Sequence, residues 1–130
     1  MMYLLDTHII VWLAREPHKL DERIKNLLLQ KNARIYFSTV SLWEIAIKNT
    51  LGREDFNLDV ELLHQQLIEN QYLELPVLSK HCYPINSLPL HHKDPFDRML
   101  IAQAIGENLT LITKDHYILQ YPHVKIFKNS

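Results

Sequence analysis

The chain is predicted to fold as an α/β protein, a three-layer α/β/α sandwich with a central, mainly parallel sheet. Two observations carry that expectation. Short runs of apolar, β-branched and aromatic residues alternate with segments of helical periodicity, and strands separated by helices require right-handed crossovers that place helices on both faces of a sheet. The run Leu109 to Thr113 is apolar along most of its length, as a strand covered on both faces of a parallel sheet must be. With 130 residues, 47% of them hydrophobic and 22% charged, the chain is long enough to bury its own core and is expected to form one domain over residues 1–130.

The elements follow in order. Tyr3-Leu4-Leu5 predicts a strand, ended by Asp6-Thr7, after which Ile9, Ile10 and Leu13 recur at helical spacing. Asp21 to Gln30 predicts a second helix, with Asp21 as N-cap and Ile24, Leu27 and Leu28 inward. Ala33 to Phe37 predicts a strand that leads into Ser41-Leu42-Trp43-Glu44, where Trp43, Ile47 and Leu51 give the apolar face of a third helix stopped by Gly52. Arg53 to Leu58 is polar and expected as a loop. Asp59 to Glu69 predicts a helix with Leu62, Leu63 and Leu67 buried, Tyr72 to Val77 a strand, and Ser79 to Ile85 a short helix capped by Ser79. Leu88 to Lys93, containing Pro89, His91 and His92, is expected as a loop. Asp94-Pro95 then supplies an N-cap followed by proline at the first helical position, a strong start signal for a helix reaching Asn108. Val124 to Phe127 predicts a last, edge strand.

Four acids, Asp6, Glu44, Asp97 and Asp115, each fall where an apolar run gives way to a helical pattern. In a parallel α/β sheet these junctions share one edge, so the four carboxylates are expected to converge. Each has an ordinary explanation when taken alone. Ser41-x-x-Glu44 and Asp94-x-x-Asp97 have capping-box spacing, Asp6 could cap the first helix, and Asp115 could cap a turn at His116 to Leu119. Capping does not explain four acids at one edge, where like charges oppose one another's ionisation. The basic residues Lys48, Arg98 and Lys114 are few and stand beside the cluster, so a divalent cation is the simpler counter-charge. An all-oxygen set favours Mg²⁺ or Mn²⁺ over zinc. Such an ion binds phosphate oxygens, activates water and neutralises a leaving oxygen, which is phosphodiester hydrolysis.

Other features narrow the classes. Only two glycines occur, Gly52 and Gly106, so no glycine-rich nucleotide loop is possible. The single cysteine, Cys82, excludes an internal disulfide and suits a reducing cytoplasm; it is expected to be buried. No signal-like or membrane-spanning run is visible. A net charge of −1 gives no overall field for nucleic acid, so such binding needs a local patch. Among the eight histidines none forms H-E-x-x-H, and His92 could orient Asp94 or assist a metal. Thr7, Ser38 and Ser41 could hydrogen-bond a carboxylate or phosphate, with capping the ordinary task of Ser41. Trp12 and Trp43 are expected in the core rather than as base-stacking platforms.

Leu4-Leu5-Asp6-Thr7-His8 with Trp12, Ser41-Leu42-Trp43-Glu44-Ile45-Ala46 with Lys48 and Gly52, His92-Lys93-Asp94-Pro95-Phe96-Asp97-Arg98 followed by Leu100-Ile101-Ala102-Gln103-Ala104, and Leu111-Ile112-Thr113-Lys114-Asp115 together resemble PIN-domain ribonucleases of the VapC toxin type. The resemblance runs in order from about Met2 to Phe127. It implies a Mg²⁺- or Mn²⁺-dependent endoribonuclease acting on RNA, the toxin of a toxin–antitoxin pair, homodimeric and inhibited by a small antitoxin. By motif, Asp6 and Asp97 correspond to the principal metal ligands, Glu44 to the third acid and Asp115 to the fourth. Asp94 corresponds to the N-cap, and Lys48 and Arg98 to phosphate contacts or restraints on the carboxylates. A stand-alone RNA-processing nuclease and a non-catalytic interaction module remain alternatives. A phosphatase of the haloacid-dehalogenase type would need a second Asp two residues after Asp6, where this chain has His8. Loops Arg53 to Leu58 and Asn86 to Lys93 are the expected places for substrate selection.

Overall fold

The computed structural model describes residues 1–90, 93–115, 118, 121 and 124–129. His91 and His92, and most of the turn expected at His116 to Leu119, lie outside the described residues. Five strands, β1 (Met2–Leu5), β2 (Arg34–Ser38), β3 (Leu73–Leu75), β4 (Thr110–Thr113) and β5 (Lys125–Lys128), form one sheet in the order β3-β2-β1-β4-β5. All of its pairings are parallel. Among the described residues six α-helices connect or flank them: α1 (Thr7–Arg15), α2 (Glu22–Leu28), α3 (Thr39–Thr50), α4 (Val60–Glu69), α5 (Ser79–Cys82) and α6 (Pro95–Glu107).

The alternation along each strand sorts the core into two layers. Tyr3, Leu5, Phe37 and Ile112 pack with α1, α2, α4 and Ile45 of α3 on one face. Leu4, Leu75 and Leu111 pack with Leu100, Ile101 and Ala104 of α6 on the other. This is the expected three-layer architecture, with β5 at an edge. The chain builds outward from β1 through β2 to β3 and then returns to β4 on the other side of β1. The carboxyl ends of β1 and β4 therefore flank the switch point, the place where such folds form a crevice.

Local signals agree with the structure where the cap chemistry is unambiguous. Asp21, Asp59 and Asp94 cap α2, α4 and α6, and Asp94 Oδ1 accepts from the backbone N–H groups of Phe96 and Asp97 at 2.8 and 3.2 Å. Gly52 follows α3 with φ +72°, the left-handed conformation that ends a helix at little steric cost to glycine.

Several expectations are corrected. Helix α3 starts earlier than Ser41: Ser38 is the N-cap and accepts from Val40 N–H at 3.0 Å, so Ser41 and Glu44 lie within the helix and do not form a capping box. Its predicted inner stripe faces solvent, with Trp43 59% exposed and Ile47 and Leu51 exposed too, while Val40, Ser41, Glu44 and Ile45 are buried. The buried face of α3 is thus partly polar because it turns toward the acidic crevice. Leu62 is exposed, whereas Leu63 and Leu67 are buried. Ser79 is not the cap of α5. Leu78 occupies that position, and the Nδ1 of buried His81 accepts its N–H at 3.0 Å. The expected loop at 53–58 contains a 3₁₀ turn, Glu54–Phe56, whose Phe56 is fully buried, and Cys82 is exposed rather than buried.

Candidate functional site

Asp6 is fixed by the ends of two strands. Its backbone N–H donates to Ile112 O at 2.9 Å, Oδ1 accepts from Thr7 N–H at 2.7 Å at the start of α1, and Oδ2 accepts from the Thr113 hydroxyl at 2.6 Å. Thr113 Oγ1 in turn accepts from Asp115 N–H at 3.0 Å. One hydroxyl at the end of β4 therefore ties the first acid to the turn that carries the fourth. Thr113 lies in the Leu111 to Asp115 block without a role assigned from sequence, although its position two residues before Asp115 at a strand end is the spacing at which a threonine hydroxyl reaches a backbone N–H.

Glu44 reaches the same crevice from mid-α3. It is buried; Oε2 accepts from Lys48 Nζ at 2.5 Å, one helical turn on, and Oε1 is buried with no hydrogen-bond partner among the described residues. A buried carboxylate oxygen left in that state is costly to the fold unless something positively charged meets it. Asp97 enters from the first turn of α6, where the Asp94 cap holds its backbone.

The ionisation of these groups shows that they share one field. Burial pushes the Asp6 carboxyl up to about 6, against the Thr113 hydroxyl and Thr7 N–H, which favour its charge, and with Glu44 and Asp115 raising it further. Burial pushes Asp97 up to about 9, reinforced by the charges of Asp6, Asp94, Glu44 and Asp115. Asp6 and Asp97 thus feel the charges of Glu44 and Asp115, which come from separate segments of the chain. His8 experiences the opposite field: burial lowers it to about 4, with Lys114, Lys48 and Arg53 disfavouring its charge and Asp55 favouring it. The crevice has an acidic floor and a basic flank.

The remaining expected contacts are placed as follows. Thr7 and Ser41 are both buried and hydrogen-bonded to each other, Oγ1 to Oγ at 2.9 Å, linking the two helices that carry Asp6 and Glu44. Lys48 is engaged by Glu44. Arg98, 9% exposed, donates to the carbonyls of Pro89, Ile85 and Leu88 at 2.9, 2.9 and 3.3 Å, and Tyr121 Oη donates to the same Pro89 carbonyl at 2.9 Å. Its guanidinium organises the segment before α6. Trp12 is half-buried against the core, and exposed Trp43 meets Phe96 edge-on with ring centroids 5.1 Å apart.

The donor set suits a hard divalent cation: carboxylate oxygens only, one of them unsatisfied, and two acids whose charged forms repel. Among the described residues, no three acidic, histidine or cysteine side chains stand close enough together to hold a metal ion. No helix among the described residues is long and apolar enough to cross a membrane.

The PIN domain family model matches residues 3–124. No curated protein matches the chain. Among solved structures, the chain is similar to one from VapBC2 of Rickettsia felis, bound to a DNA fragment from its promoter, at 24% identity and TM-score 0.73 with both chains fully covered. It is also similar to VapBC-1 of nontypeable Haemophilus influenzae, at 22% identity and TM-score 0.69, and to VapBC-5 of Mycobacterium tuberculosis, at 20% identity and TM-score 0.65, with 98% of both chains covered in each case.

Proposed function

This chain belongs to the PIN-domain family, and we propose that it is a metal-dependent endoribonuclease, the toxin of a toxin–antitoxin pair. The observation that carries the proposal is Glu44 Oε1, buried with no hydrogen-bond partner among the described residues, near acids Asp6 and Asp97 that feel its charge and that of Asp115. Helix capping gives no reason for that oxygen, because Glu44 lies in mid-helix.

Asp6, Asp97 and Glu44 are assigned to hold Mg²⁺ or Mn²⁺, with Asp115 as the fourth acid. Such an ion keeps several waters in its shell, so an open ligand set is sufficient, and when bound it supplies a phosphate-binding charge and a lowered pKa for water. The chain's own residues do the rest. Thr113 fixes the Asp6 carboxylate through Oδ2, and Lys48 neutralises Glu44 at Oε2 so that Oε1 is the oxygen presented. The Asp94 cap sets the angle at which Asp97 enters. Asp115, whose backbone N–H donates to Thr113 Oγ1, is assigned to accept the proton of an attacking water. Thr7 and Ser41 hold α1 and α3 together beneath the site, and we assign Arg98 a positioning role through the 85–89 carbonyls in place of the expected phosphate contact.

The likeness to chains from VapBC complexes supports an antitoxin partner for this chain, and we extend the reading to a cytoplasmic homodimer. The test is cleavage of a mixed single-stranded RNA pool with Mg²⁺, Mn²⁺ or EDTA. Wild type should cut only with metal, and Asp6→Asn and Asp97→Asn should lose activity by about a hundredfold or more while remaining folded. Cleavage in EDTA, or either variant cutting like wild type, would overturn the proposal.

A further inference from the structure

Beside the acidic floor lies a row of cations seated on aromatic rings. Lys114 Nζ and Lys19 Nζ stand 5.2 and 5.7 Å from the centroid of the Trp12 ring. Arg53 Cζ and Lys48 Nζ stand 5.6 and 4.4 Å from the centroid of Phe56. His8, in the first turn of α1, meets both rings edge-on, with centroids 5.1 Å from Phe56 and 6.5 Å from Trp12. The row is anchored to the site at both rings: Lys114 immediately precedes Asp115, and Lys48 is bound to Glu44. An aromatic face holds a flexible cation near one position, which lowers the ordering cost when an anion arrives.

Building on the nuclease reading above, we propose that Lys114, Lys19 and Arg53 form the track that receives the phosphate backbone of a single-stranded nucleic acid on one flank of the cleaved bond. The acidic floor can hold one phosphate through a cation, but it repels its neighbours, and those must pass over protein cations. Among the described residues Lys114 makes no ion pair, while Lys19 pairs with half-buried Glu16 and Arg53 with exposed Asp55, short-range surface partners for which a phosphate can compete. Lys48 is excluded from the track because it is 16% exposed and already neutralises Glu44. With a net charge of −1, the chain has no general attraction for polyanions, so affinity must come from a patch of this kind.

The test uses the full chain carrying Asp97→Asn to prevent cleavage, and a fluorescein-labelled single-stranded oligoribonucleotide followed by anisotropy over a KCl series. Adding Lys114→Gln, Lys19→Gln and Arg53→Gln together should weaken binding at low salt tenfold or more. It should also reduce the slope of log affinity against log salt by about 2, since each phosphate neutralised on a single strand adds about 0.7 to that slope. Lys114→Arg should bind like the parent. Lys31→Gln, before β2 at the opposite edge of the sheet, should change nothing. In the cleavage-competent chain the triple variant should raise KM and leave kcat within a few-fold. Unchanged binding by the triple variant, an equal loss with Lys31→Gln, or displacement of the RNA by poly-glutamate at matched charge would overturn the track while the nuclease reading stands. A wild-type chain that neither binds nor cleaves the oligonucleotide would overturn both.

Discussion

Asp97→Asn should remove cleavage and yet stabilise the metal-free protein, by an amount that grows with pH. In the folded chain Asp97 is pushed up from 3.8 to about 9, whereas in the unfolded chain it ionises near its ordinary value. Between those values the unfolded state releases a proton that the folded state keeps, so stability falls as pH rises from about 4 toward 9. Holding the carboxyl neutral at pH 7 costs at most about 4 kcal/mol, from roughly 1.4 kcal/mol per pH unit above 3.8. Asp97 is only half-buried, so solvent screening reduces that to about 2 kcal/mol. Asparagine also forgoes about 0.5 kcal/mol of favourable interaction with the amino end of α6. The net gain is about 1.5 kcal/mol at pH 7, or roughly 5 °C in Tm, and near zero at pH 5. Thermal melts of both proteins in EDTA at pH 5, 7 and 8.5 measure it. Saturating Mg²⁺ should reverse the order, since an ion at 100 times its Kd stabilises the wild type by about 2.7 kcal/mol and the variant far less. A variant that melts below wild type in EDTA at every pH, by the roughly 1 kcal/mol that removing a helix-start hydrogen bond costs, would refute the electrostatic reasoning.

Three further outcomes probe how the site is supported. Phe56→Ala should destabilise the protein by about 3–5 kcal/mol in urea unfolding, because the ring is fully buried in a segment that looks like a polar loop. Trp43→Ala should cost under about 1 kcal/mol by the same measurement, since the indole is exposed and its packing is chiefly edge-on against Phe96. Arg98→Lys should lower stability by roughly 2 kcal/mol, because one ammonium cannot serve three carbonyls fixed in a fork, while Mn²⁺ affinity measured by calorimetry stays within a few-fold.

What the sequence disclosed depended on whether a signal was local. Asp94-Pro95 opens α6 and Gly52 closes the α3 region because an N-cap followed by proline, and a glycine at φ +72°, act through their own backbone. The parallel sheet followed from alternation and crossover handedness, and with it the expectation that Asp6, Glu44, Asp97 and Asp115 share one sheet edge, where Asp97 feels the charges of the other three. The start of α3 was not legible, since Ser38, Thr39 and Ser41 are all plausible caps and only the extent of β2 and the Thr7–Ser41 hydrogen bond choose among them. Periodicity misled at Trp43, Ile47 and Leu51 because it assumes that the apolar stripe is the buried one. Here the opposite face is drawn inward to bring Glu44 to the acids. Phe56 was hidden in a charged neighbourhood, Arg53-Glu54-Asp55, and its burial is a tertiary event involving His8 and Lys48.

The proposed role of these carboxylates is to hold one or more divalent cations. A crystal soaked in Mn²⁺ tests it most directly through the anomalous signal of the metal. A peak is expected between Asp6, Glu44 and Asp97, with Glu44 Oε1 among its ligands, and no such peak in Asp97→Asn crystals treated alike. A well-ordered wild-type crystal with no peak in the crevice, or with a peak only elsewhere on the surface, would contradict it.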